Sequence, residues 1–324
     1  MNAIDTVSFA CRRSALALLL AACLLPARPA IAAGAPQKHF ATPEEAVQAL
    51  IVAVRAHDQK ATLEVLGATA KPLISSGDRV ADRESGERFV QAYDEANSLV
   101  KTGDDKAVLQ TGKDGWPFPI PVVKSDAGWR FDSDAGKEEI LNRRIGANEL
   151  WTIQACLAYV DAQREYYDRD PDHDGLLQYA QKFTSTPGKR DGLYWRANGD
   201  EAESPLGAHF ARARAEGYYG KNPSSKATPY HGYYYRILTA QGPDARGGAY
   251  DYVVHGGMMG GFALVAFPAT YGNSGVMTFI VNHDGVVFQK DLGPNTAATA
   301  EAMKMFNPDS SWKPVEGDAL QPPG

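Results

Sequence analysis

Residues 147–181 read ANELWTIQACLAYVDAQREYYDRDPDHDGLLQYAQ, and in that stretch a helical period gives way to an acidic turn. Leu150, Ile153, Leu157 and Val160 recur at 3-4-3 spacing, the apolar stripe of an amphipathic helix. The pattern predicts one long or once-broken helix from Asp134 to Arg169, with Gly146 as the expected place of any break. A stripe on one side only needs a partner surface, and the candidates lie far downstream. HGYYYRILT (231–239), GGFALVAFPA (260–269), GVMTFIVN (275–282) and GVVFQKDL (285–292) are rich in β-branched and aromatic residues and set apart by glycines. Asn282-His283-Asp284-Gly285 predicts a hairpin between the last two, since Asp-Gly tolerates the positive φ of a tight turn. The expectation is a helix packed on an antiparallel sheet over 134–316, with an insertion at 183–228 that carries a short helix over Leu206–Glu216, and a tail at 317–324.

Upstream, TPEEAVQALIVAVRAHDQKATLEVLG (42–67) opens with Thr42 as N-cap and Glu45 three residues on, the spacing of a capping box. Helical text continues through ERFVQAYDEANSL (87–99). The strand-like runs AVLQT, PFPIPVVK and GWRFD follow, separated by the turns Lys113-Asp114-Gly115 and Ser125–Gly128. Helices followed by a small antiparallel sheet define an α+β domain over 38–133. Its order resembles, in outline, the cone-like domains of the NTF2-like superfamily. The fold class is therefore α+β in two domains, and no internal repeat interrupts it.

Residues 1–33 read as an export signal. Arg12 and Arg13 precede an apolar run from Ala15 to Leu25 that is too short to span a bilayer, and Ala30 and Ala32 supply the small residues a signal peptidase needs. The chain is expected in the periplasm or secreted; the alternative is a lipoprotein anchored through Cys23 of Leu20-Ala21-Ala22-Cys23. Removing the signal takes Lys+Arg from 33 to 30 and Asp+Glu from 39 to 38, leaving a mature charge of −8. With no clustered Lys/Arg, that balance argues against nucleic acid and against a polybasic membrane patch. No transmembrane helix is expected in the mature chain. Cys156 is then the one remaining cysteine, unable to form an intramolecular disulfide, and its place on the helical stripe marks it as a buried, inert thiol.

Asp170, Asp172, Asp174 and Gly175 match the first half of a calcium loop, with oxygen donors at alternate positions and a glycine for the turn. Three carboxylates this close repel one another unless a cation joins them. A full EF-hand is excluded, because Gln181 stands where the bidentate glutamate belongs. The competing reading is a solvated acidic turn. Tyrosines crowd a second region: Tyr218-Tyr219, Tyr230, Tyr233-Tyr234-Tyr235, Tyr250 and Tyr252 around Trp195. Tyr233, Tyr235 and Trp195 are the candidate binding surface, since such rings offer flat apolar area with a polar tip.

Nothing else in the chain carries recognisable site chemistry. His255–Gly261 lacks the lysine and hydroxyl of a phosphate loop and reads as a wide hairpin turn. His231 and His283 read as solvated turn histidines, without neighbours at metal-ligand spacing. Ser274 lacks the Gly-x-Ser-x-Gly context of a nucleophile elbow. The pairs Glu201/Glu203 and Glu138/Glu139 sit among charged neighbours, as on solvated faces.

TIQACLAYVDAQREYY, DGLYW, SPLGAHFARARAEGY, GYYYRILTAQG, GGFALVAFPATYGNSGVMTFIVNHDGVVFQKDLG and the Ser311-Trp312 pair together resemble the bacterial family of domain of unknown function 2950. The resemblance covers nearly the whole mature chain and implies an exported protein of unassigned activity. The C-terminal half is also similar to the globular part of type II secretion pseudopilins, although the charged run Gly136–Asn148 stands where a pilin carries its apolar membrane segment. The functional expectation is a non-catalytic binding or assembly protein of the cell envelope, calcium-stabilised at the acidic loop and facing an envelope protein or glycan. The alternative is an envelope hydrolase acting on glycan or peptide at a cleft between domains.

Overall fold

The computed structural model describes residues 36–171, 175–197, 202–215, 218 and 228–321. The candidate signal segment, Asp172, Asp174 and Tyr219 lie outside the described residues. Contacts gather residues 35–324 into one compact unit, in which helices and antiparallel sheets combine as an α+β fold.

Helix α1 (Pro43–Arg55) starts where the capping box predicts, with Thr42 Oγ1 accepting the Glu45 amide at 3.1 Å. Glu45 reaches back to the Ala41 amide, one residue before the cap. Helices α2 (Gln59–Leu66), α3 (Lys71–Ile74) and α4 (Arg79–Glu95) follow. Strands β1 (Asn97–Thr102), β2 (Lys106–Thr111), β3 (Trp116–Pro117), β4 (Val122–Ser125) and β5 (Gly128–Phe131) then build a sheet of order β1-β2-β4-β5, with β3 on β2. Leu50, Ile51, Leu109, Ile120, Val122 and Phe131 form the core beneath it.

Helix α5 (Ser133–Arg169) runs unbroken for 37 residues, so the break expected at Gly146 does not occur. One exposed glycine costs a helix about 1 kcal/mol, and packing at both ends of α5 outweighs that. Its first turns carry Ile140 and Leu141 against the core just described, while Ile153, Cys156, Tyr159, Val160 and Tyr166 enter a second core. The buried stripe thus includes Cys156, Gln163 and Tyr166, whereas Leu150 and Leu157 are half-buried.

After α6 (Gly207–Ala215) come β6 (Tyr233–Leu238), β7 (Ala240–Gln241), β8 (Tyr250–Asp251), β9 (Val253–Val254), β10 (Gly257–Met258), β11 (Ala263–Pro268), β12 (Met277–Asn282) and β13 (Phe288–Asp291). The chain closes with α7 (Thr296–Ala302), β14 (Met305–Phe306) and β15 (Lys313–Pro314). The main sheet has order β15-β13-β12-β11-β6, so β6 is an edge strand, and β12 and β13 form the hairpin expected at Asn282–Gly285. Strands β9 and β10 turn in two residues, His255 and Gly256, both at positive φ. This is the backbone of a tight hairpin turn and not the wide loop the glycines suggested.

Polar contacts tie the first 80 described positions to the second core. Arg144 donates to the carbonyls of Pro72 and Leu73 and, at 2.6 Å, to Asn273 Oδ1. Asn273 Nδ2 donates to Ser75 O, and Asn148 Nδ2 to Ser274 O. Asp78, fully buried, caps α4 and accepts the Tyr218 hydroxyl and the Gly232 amide at 2.9 Å each.

Candidate functional site

Two concavities flank α5. The first, about 540 Å³, lies between α5, α6 and the outer strand β6. Ala155 and Ala158 make the hollow on the helix side, because two methyl side chains stand where the adjacent Tyr159 fills space with a ring. Phe210 of α6 stacks on Tyr194 at 4.2 Å between nearly parallel planes, which fixes the facing wall. Tyr230, Tyr234, Tyr235 and Phe267 line the sheet side. Besides the tyrosine hydroxyls, the polar groups are His209, Thr184, Thr228, Glu301 and Arg236. The Arg236 guanidinium donates to the carbonyls of Ala300 and Met303 at the end of α7. A small set of polar groups around an apolar wall of this volume is the usual form of a ligand seat.

Strand alternation puts Tyr233 and Tyr235 on one face of β6 and Tyr234 on the other, yet Tyr234 and Tyr235 both border the cavity, which lies along the outer strand of the sheet. Tyr233 is wholly buried, its hydroxyl donating to Met277 O at 2.9 Å. Burial, and secondarily the Glu149 carboxylate, push its pKa far up. Tyr235 is half-buried and borders the cavity. Trp195 is buried outside the cavity lining: its indole donates to Ala202 O and carries the Arg190 guanidinium over its face. Of the three candidate surface residues, Tyr235 alone borders the cavity; Phe183, Phe210 and Phe267 were missed. The signal that could have found them is a set of aromatics shared between the 183–228 insertion and the strand runs.

The second concavity, about 1270 Å³, opens beneath α4 between α1, α3 and the first half of α5. Helix α4 contributes no fully buried residue; Phe89 and Tyr93 pack half-buried on the first core, and its turns from Arg79 to Phe89 border the groove. Asp82 faces the groove, accepting from the Ser76 amide and hydroxyl, and burial raises its carboxyl above the usual range. Arg144 lies nearby, its pKa lowered by burial and supported by the charge of Asp82. Trp151 closes one end by stacking on His231 at 4.9 Å and 9°. His231 sits at φ 49°, a left-handed conformation that histidine tolerates better than most residues.

The histidine expectation is corrected here. His231 is half-buried against Trp151, and His283 is half-buried against Tyr252 and Phe262, because each turn folds back onto an aromatic surface. Ser274 is wholly buried and bonds within its own turn to Thr270. Cys156 is free and buried, its thiol pushed up to about 12. Asp170 ends α5 in a left-handed conformation, its Oδ2 accepting the Gly175 amide at 3.2 Å and its buried Oδ1 without a partner among the described residues. No group of three or more metal-ligating side chains converges among the described residues, and no described helix is long and apolar enough to cross a membrane.

Fold and cavities together define an α+β protein with an aromatic pocket and a separate groove. The chain matches, over residues 37–315, the family described as Protein of unknown function (DUF2950), and it belongs to that family. No curated protein and no solved structure matches it significantly.

Proposed function

We propose that the protein is a non-catalytic binding protein of the bacterial cell envelope, which receives an aromatic or large aliphatic side chain of a peptide partner in the cavity between α5, α6 and β6. One observation carries the reading: an aromatic-walled hollow of about 540 Å³ held open by two alanines on a rigid helix. A glycan is served less well, since sugar hydroxyls need a dense ring of hydrogen-bonding groups and the cavity offers few. Export through residues 1–33 is part of the same proposal, as is the division into an NTF2-like domain over 38–133 and a pilin-like domain over 134–316, which draws support from the two separate cores.

The test is selection from a random peptide display library on the purified protein. Enriched peptides should share an aromatic or large aliphatic residue and bind at least tenfold more weakly to Phe210→Ala. Enrichment of glycans on an array, with none of peptides, would transfer the site to the other class of partner.

A cation at Asp170, Asp172 and Asp174 is proposed as a structural clamp on the end of α5. The left-handed turn at Asp170 and its carboxylate oxygen without a partner among the described residues favour it. The hydrolase alternative finds its support in the raised carboxyl of Asp82 within the groove; retention of any glycan- or peptide-hydrolysing activity by Asp82→Asn would remove that support.

A further inference from the structure

The groove beneath α4 combines an apolar wall with a basic rim. Val54, Ile74, Phe118 and Ile140 border the first core, remain half-buried and line the concavity. Helix α4 packs on this wall through Phe89, whose ring lies 4.9 Å from that of Phe118, and through Gly86 beside Val54, and from Arg79 to Phe89 it lines the groove for about 15 Å at helical rise. Its rim is basic: five arginines line it against Asp82 and Glu84, on a chain whose formal charge is −6.

The arginines are not equivalent. Arg144 is held by backbone carbonyls and by Asn273, which assigns it to the fold. Arg83, Arg88 and Arg143 pair with Glu87, Glu84 and Glu139 at exposed positions, where exchange of partners costs little. Arg79, exposed on the rim, forms no ion pair among the described residues. The first amides of α4 are already taken by Asp78, so an anion arriving here is met by side chains. One free guanidinium fork matches one carboxylate.

We infer that the groove binds a free fatty acid, its acyl chain along the half-buried wall beneath α4 and its carboxylate on Arg79. Charge complementarity selects an anionic amphiphile over a neutral one, and a half-buried apolar wall bordered by about 15 Å of helix selects a single flexible chain. This site is independent of the aromatic cavity.

The experiment uses the protein purified after expression of the full chain, with the fluorescent fatty acid cis-parinaric acid as probe and oleate or uncharged oleyl alcohol as competitor. Saturable one-to-one enhancement is expected, with oleate displacing the probe at least tenfold better than oleyl alcohol. Arg79→Glu should weaken oleate about fivefold, the loss of an exposed charge pair. An acid at the first turn of α4 suits the helix dipole, so this variant folds. Phe210→Ala, in the other cavity, should leave oleate binding unchanged. Absence of saturable binding, equal competition by oleyl alcohol, unchanged affinity in Arg79→Glu, or loss in Phe210→Ala would each overturn the assignment.

Discussion

The wholly buried carboxylate of Asp78 accepts the Tyr218 hydroxyl at 2.9 Å across 140 residues of sequence. The same carboxylate caps α4 through the amides of Val80 and Ala81 and accepts the Gly232 amide. With four donors and no cation paired to it among the described residues, Asp78 behaves as a polar knot between the α4 end of the chain and the main sheet. Asp78→Ala leaves those donors unsatisfied and is expected to cost on the order of 3 kcal/mol. Tyr218→Phe removes one donor and should cost about 1 kcal/mol. Urea unfolding of the two variants checks the ratio; equal, small losses would mean that water replaces the knot.

Two glycines of α5 should respond to alanine with opposite sign. At Gly146 a Cβ meets nothing within 4 Å, so Gly146→Ala is expected to stabilise by about 1 kcal/mol through helix propensity. At Gly136 a Cβ would lie 2.5 Å from Pro119 O and 2.9 Å from Ile120 Cγ1. Gly136→Ala must push α5 off the segment before β4 and should destabilise by about 1–3 kcal/mol. Thermal unfolding of both variants measures the signs directly.

Tyr159, Tyr218, Tyr233 and Tyr252 have pKa values raised above the ordinary 10, in each case first by burial. The folded protein therefore holds protons that the unfolded chain releases. Their stabilisation is complete below pH 10 and is lost as pH rises beyond it. Tyrosinate absorbance should show these four titrating only with cooperative unfolding. A single smooth titration, with the fold intact, would contradict their burial.

Millimolar calcium, and not magnesium, is expected to raise the unfolding midpoint of chelator-treated protein, with the rise abolished in Asp170→Ala. An unchanged midpoint would reduce the 170–175 turn to a solvated helix end.

The fold was legible where local chemistry and tertiary demand agree. The capping residues Thr42 and Glu45, the Asp284-Gly285 turn and the helical period of 150–160 each specify their element without outside help. The break at Gly146 was misplaced because a helix gripped at both ends tolerates one weak residue, and the buried stripe shifted because Gln163 is taken inside by the Ala180 amide and carbonyl. Alternation promised that the tyrosine triplet would divide, but which rings face outward depends on β6 being an edge strand, a fact of pairing order. The groove was invisible in sequence. A helix that borders a groove reads like one that covers a core, and Asp78 reads as a cap before it reads as a tether.

The aromatic cavity is proposed as the seat for a partner's side chain. Isothermal titration of a selected aromatic peptide into the wild type and Ala158→Trp tests it, since an indole at position 158 fills the hollow from the helix side. Saturable binding to the wild type, with no binding by an Ala158→Trp variant that unfolds at the same or a higher temperature, is the predicted result. Equal affinity for both proteins would contradict it and place the peptide elsewhere on the surface.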